Sequence, residues 1–71
     1  MEMYHYYFTE RNSGEEFIVG ADSLEEAWET ADEVAATIRK FYDEGAGFAT
    51  WVCYEYEMTE EEAEASGLDE Y

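Results

Sequence analysis

Positive charge is what this sequence has least of. Its 71 residues include three Lys or Arg against 20 Asp or Glu, for a formal net charge of −17. Affinity for DNA or RNA is driven by Lys and Arg neutralising phosphates, so direct nucleic-acid binding is excluded. Anionic lipid would repel the same charge, and no apolar run of roughly 18 residues is present to span a membrane. Cys53 is the sole cysteine, which rules out an internal disulfide. Met1 to Thr9 contains no Lys or Arg and does not resemble a secretory leader, so the expected location is cytoplasmic. Internal repeats and Pro-rich or Ser-rich linkers are lacking, and residues 1–71 are expected to form one domain.

Chemistry is equally thin. His5 is the only histidine and has no Ser, Cys or Asp beside it to form a nucleophilic set, so it reads as a half-buried structural residue on a strand. Cys53 stands among carboxylates, which oppose thiolate formation, and is expected to be inert. Neither an EF-hand spacing nor a His-Cys cluster occurs, so no metal and no other cofactor is expected, and the chain does not read as an enzyme.

What is present is a core. Hydrophobic residues make up 46% of the chain, with four Phe, seven Tyr and two Trp. A disordered acidic tail lacks such residues, so this chain should fold. A net charge of magnitude about 2–8 suffices to keep a small domain soluble. The excess points to display of negative charge to a basic partner.

Tyr4 to Glu10 alternates Tyr4, Tyr6 and Phe8 with His5, Tyr7 and Thr9, the period of a first strand. Arg11 to Gly14 has turn composition, and Glu15 to Val19 reads as the second strand of a hairpin that Gly20 ends. Ser23 is a good N-cap with Glu26 at the capping-box position, and Leu24, Ala27, Trp28, Ala31, Val34, Ala35, Ile38 and Tyr42 form one apolar stripe. A helix is predicted from Ser23 to about Tyr42, stopped at Gly45 or Gly47, with Trp28 as its main anchor. Phe48 to Met58 is predicted as a long third strand, with Val52, Tyr54, Tyr56 and Met58 on one face and Trp51, Cys53, Glu55 and Glu57 on the other. Thr59 to Ser66 then repeats the capping box through Thr59 and Glu62, with Met58 and Ala63 placed as a hydrophobic staple and Gly67 as the cap. The expected fold is α+β: a three-stranded antiparallel sheet packed on one long helix in two layers, in β-β-α-β order, with a short acidic helix at the C-terminus.

Asp22, Glu26, Glu29 and Glu33 step along the long helix by four, three and four residues. At 1.5 Å per residue, their Cα atoms are separated by about 4.5–6 Å along the axis. Phosphates of one DNA strand recur at about 3.4 Å along theirs, and long Glu side chains have the reach to approximate that pattern. Glu25 and Asp32 lie alongside. Glu55 and Glu57 on the third strand, with Glu60, Glu61, Glu62 and Glu64 on the last helix, carry further negative charge.

A small, cysteine-poor, very acidic chain bearing these rows resembles the phage-encoded DNA-mimic inhibitors of the anti-CRISPR and anti-restriction type. The resemblance implies inhibition of a host DNA-binding defence complex, above all a CRISPR effector, by occupying the Lys/Arg channel that reads the PAM and admits duplex DNA. The implied partner is a basic nucleic-acid-binding protein, met by a monomer or a homodimer. The alternative is an adaptor or homodimeric regulatory module that uses an aromatic sheet face through Tyr7 and Trp51.

Overall fold

A computed structural model describes residues 3–42 and 49–71. Its elements run β1 (Tyr4–Glu10), β2 (Glu16–Ala21), α1 (Leu24–Tyr42), β3 (Val52–Met58) and α2 (Glu60–Ser66). The three strands form one antiparallel sheet in the order β2-β1-β3, and the fold is α+β as expected. The Tyr42 side chain, the stop at Gly45 or Gly47, and Phe48 lie outside the described residues.

The inward face of the hairpin follows its alternation. Tyr6, Phe8, Phe17, Val19 and Ala21 are buried against Ala27, Ala31 and Val34 of α1, with Leu24, Trp28, Ile38, Val52 and Tyr54 closing the margins. Small alanines on the helix let its backbone approach the aromatic sheet closely. Phe8, rather than Trp28, is the centre of this core. It is fully buried and touches Phe17, Trp28 and Tyr54 at ring-centroid distances of 5.8, 5.1 and 5.7 Å, whereas Trp28 is only half-buried. Half of the α1 capping box forms: the Glu26 N–H donates to Ser23 Oγ at 3.3 Å.

Gly20 does not end the second strand. It pairs with His5, and the ladder continues to Ala21 opposite Tyr4. A Cβ at Gly20 would stand 2.8 Å from Met3 Sδ and 2.9 Å from a Glu70 carboxylate oxygen, so a larger residue there would have to displace the ends of those two flexible side chains.

The third strand departs from prediction in two ways. It begins at Val52, not in the stretch before Trp51, and its alternation is broken at Glu55. Phe8 pairs with Tyr54 while Tyr7 pairs with Tyr56, which leaves Glu55 as the extra residue of a β-bulge. Every side chain beyond the bulge therefore changes face. Tyr56 and Met58 join Tyr7 on the side away from α1, and Glu57, opposite Tyr6, moves to the side of α1.

The second sheet face explains α2. Thr59 caps this helix with both capping-box bonds present, and Gly67 closes it in the left-handed conformation at φ 71°. Ala63 packs with Ile18 and Met58, beside Tyr7 and Leu68, in a core cluster separate from the first. The two-layer arrangement thus gains a partial third layer on the side of the sheet opposite α1. The chain then runs along β2: Ile18 N–H donates to Asp69 O at 2.9 Å, Tyr71 N–H to Ile18 O at 2.8 Å, and Gly20 N–H to Tyr71 O at 2.9 Å. This parallel pairing covers the β2 edge, and the Tyr71 ring closes edge-on over Phe17.

Candidate functional site

The six acids of the α1 region all point away from the sheet. Ala27, Ala31, Val34 and Ala35 face the core, which turns Asp22, Glu25, Glu26, Glu29, Asp32 and Glu33 to solvent. Among the described residues none of these six enters an ion pair. Asp22 lies in the bend before α1 and not on it; on the helix itself the row from Glu26 to Glu33 extends over about 10 Å at 1.5 Å per residue, and the basic residues Arg39 and Lys40 follow only in the last turn. Glu57 lies on this same side of the sheet. Burial raises the Tyr6 phenol above its ordinary range, and the neighbouring Glu57 carboxylate adds to the effect.

The other acids belong to a different surface. Glu60, Glu61, Glu62 and Glu64 are exposed on α2, on the face of the sheet opposite α1. Two acids on that side are already engaged. Glu62 accepts the Thr59 N–H at 3.1 Å in the capping box, and Glu55 accepts from Thr9 Oγ1 at 2.8 Å and from Arg11 Nη2 at 3.3 Å. The predicted site residues therefore divide into an α1 row with Glu57, and an α2 group with Glu55, with the sheet between them.

Beside the hairpin turn, an open depression of about 320 Å³ is lined by Tyr7, Thr9, Glu10, Arg11, Gly14, Glu16 and Glu55. The Tyr7 hydroxyl donates to Glu16, and that bond, with burial and the Glu16 charge, pushes the phenol up to about 12. Tyr7 also belongs to the cluster under α2, so it is less available to a partner than Trp51 or Tyr56, which are 63% and 51% exposed. His5 bonds through Nδ1 to Glu70 at 2.7 Å and so ties the C-terminal segment to β1, the structural role its strand position suggested. Among the described residues no group of three or more His, Cys, Asp or Glu is placed to hold a metal ion, and no helix is long and apolar enough to cross a membrane.

Sequence reasoning gave Glu10 no role, and it is the one buried charged residue among those described. Its carboxylate accepts the N–H groups of Ser13, at 2.7 Å, and Trp51, tying the hairpin turn to the approach of β3. The signal was the alternation itself, since Tyr4, Tyr6 and Phe8 put Glu10 on the inward face.

Comparison with protein families, with curated proteins and with solved structures returns no match for this chain.

Proposed function

We propose that this protein is a phage-type inhibitor of a host DNA-binding defence complex, an anti-CRISPR protein that acts in the host cytoplasm by presenting its α1 acids in place of DNA phosphates. The observation that carries the reading is the row Glu26, Glu29 and Glu33 along α1, with Asp22 just ahead of its first turn, exposed and free of ion pairs among the described residues. A rigid helix fixes its charges before contact, which lowers the ordering cost of binding. Charge density supports the same reading. A net charge of −17 on a body 41 Å long averages about one charge per 2–3 Å, between the values of roughly 1.7 Å for duplex DNA and 3.4 Å for one strand. A Lys/Arg channel shaped for phosphates would accept such a face by electrostatic complementarity.

Reversal of Glu26 and Glu29 to Lys tests it. The double variant should lose the partner while its melting temperature holds or rises, because the change relieves like-charge repulsion in the free fold. Wild-type binding should weaken steeply between roughly 50 and 200 mM salt. Full binding by the double variant would refute the reading. A second reading, an adaptor that docks through aromatic residues, draws its support from exposed Trp51 and Tyr56. It predicts instead that Trp51→Ala abolishes binding and that salt matters little.

A further inference from the structure

The two outer strands of the sheet end differently. The β2 edge is paired by the C-terminal residues Asp69 to Tyr71, whereas nothing among the described residues pairs with the outer edge of β3. The direction of its backbone groups follows from register. Glu10 N–H donates to Glu15 O, on the β2 side, so Tyr6, Phe8 and Glu10 all turn their backbone groups toward β2. Their partners across the other ladder are Glu57, Tyr54 and Val52. These three consequently turn their N–H and C=O groups outward, away from β1. The Trp51 carbonyl, which accepts from Arg11 N–H at 2.9 Å, faces inward as this alternation demands.

Protein edges of this kind are commonly blunted against self-association by charge and by bulges, and β3 has both, in Glu57 and in the bulge at Glu55. Such protection is selective. A second copy of the chain would bring another −17 to the edge, and like charge opposes that pairing. A strand carrying Lys or Arg meets the opposite condition: outward backbone groups to pair with, and an exposed Glu57 carboxylate that is free of ion pairs among the described residues. Charges directly opposite one another across a ladder stabilise the pairing when their signs differ and oppose it when they match.

We infer that the outer edge of β3 binds an extended basic segment of another protein by strand addition, through the backbone of Val52, Tyr54 and Glu57. The edge lies off the α1 row and does not depend on that row imitating DNA. A partner that engaged both surfaces would gain affinity from each.

Amide hydrogen exchange read by NMR tests this, with a short peptide alternating Lys and Val as the probe and one alternating Glu and Val as its control. The Lys peptide should slow exchange at Val52, Tyr54 and Glu57 by about tenfold or more, and the Glu peptide should leave those amides unchanged. Glu57→Gln should weaken the Lys peptide several-fold with the spectrum of the fold intact. The Glu26→Lys/Glu29→Lys variant should retain protection at the edge, which separates this inference from the mimicry reading. Equal protection by both peptides would overturn it, as would protection confined to α1. Slow exchange of the three amides in the free monomer would show the edge to be covered already. Their protection in a dimer detected by sedimentation would make the occupant a second copy.

Discussion

Removing the Glu10 side chain should damage this fold more than any exposed acid does. The residue has no exposed surface, and its carboxylate accepts backbone N–H groups from Ser13, at the hairpin turn, and from Trp51, just before β3. In Glu10→Ala both donors lose their acceptor. An unsatisfied buried donor costs about 1–3 kcal/mol, or about 2–6 for two; both donors are part-buried, which sets the expected loss toward the lower end, about 2–3 kcal/mol, still a large share of the stability of so small a domain. Glu10→Gln keeps one acceptor oxygen and the side-chain shape but loses the charge, and charge-assisted bonds are roughly twice as strong as neutral ones. That variant should lose about 1–2 kcal/mol. Burial alone would push this carboxyl up, but the bonds from Trp51, Ser13 and Asn12 outweigh it and hold it below the ordinary carboxylate range. A depressed folded value means that the stabilisation is complete above the unfolded value, near 4.5, and is lost as pH falls through the folded value. Urea unfolding followed by Trp fluorescence at neutral pH, repeated down the acid limb, measures both effects. A Glu10→Ala protein as stable as wild type, or a wild-type acid limb unchanged in Glu10→Gln, would refute the reasoning.

Phe8→Ala should cost about 3–5 kcal/mol and half-buried Trp28→Ala clearly less, which thermal melts of the two variants will rank. Deleting Asp69 to Tyr71 uncovers the β2 edge and the Phe17 ring, so the truncated chain should melt lower and self-associate more in sedimentation. Raising salt from about 20 to 200 mM should raise the melting temperature, because screening weakens the self-repulsion of a −17 chain. A flat salt response would show that the acids are neutralised in the fold by something other than the three basic residues.

The parts of this fold that local chemistry specifies were legible in the sequence. Ser23 and Thr59 announce the helices because a side-chain oxygen must meet the first free N–H groups. The stripe of Leu24, Ala27, Ala31 and Val34 and the alternation of Tyr6 and Phe8 name the core, while Tyr4, on the same face at the strand's start, stays exposed. What could not be read depends on contacts between distant segments. The bulge at Glu55 arises where β3 meets β1, and its sequence alternates smoothly through the break. Gly20 resembles a strand terminator until its pairing with His5 carries the ladder on to Ala21. For the candidate site, helical periodicity located the outward row of α1 correctly, since an outer face is the complement of a core face. That Glu60 to Glu64 lie behind the sheet from that row was not legible, because the side on which α2 packs is set by Ile18, Met58 and Ala63 meeting in three dimensions.

The central claim is that the α1 row and DNA compete for one basic channel. An electrophoretic shift assay with purified DNA-targeting CRISPR effector complexes and labelled PAM-containing duplex tests it most directly. The claim predicts that added protein abolishes the shifted DNA band of a susceptible complex, that excess duplex restores it, and that the Glu26→Lys/Glu29→Lys protein has no effect at equal concentration. A ternary band containing effector, DNA and this protein together, undiminished inhibition by the double variant, or no inhibition of any such complex would contradict it.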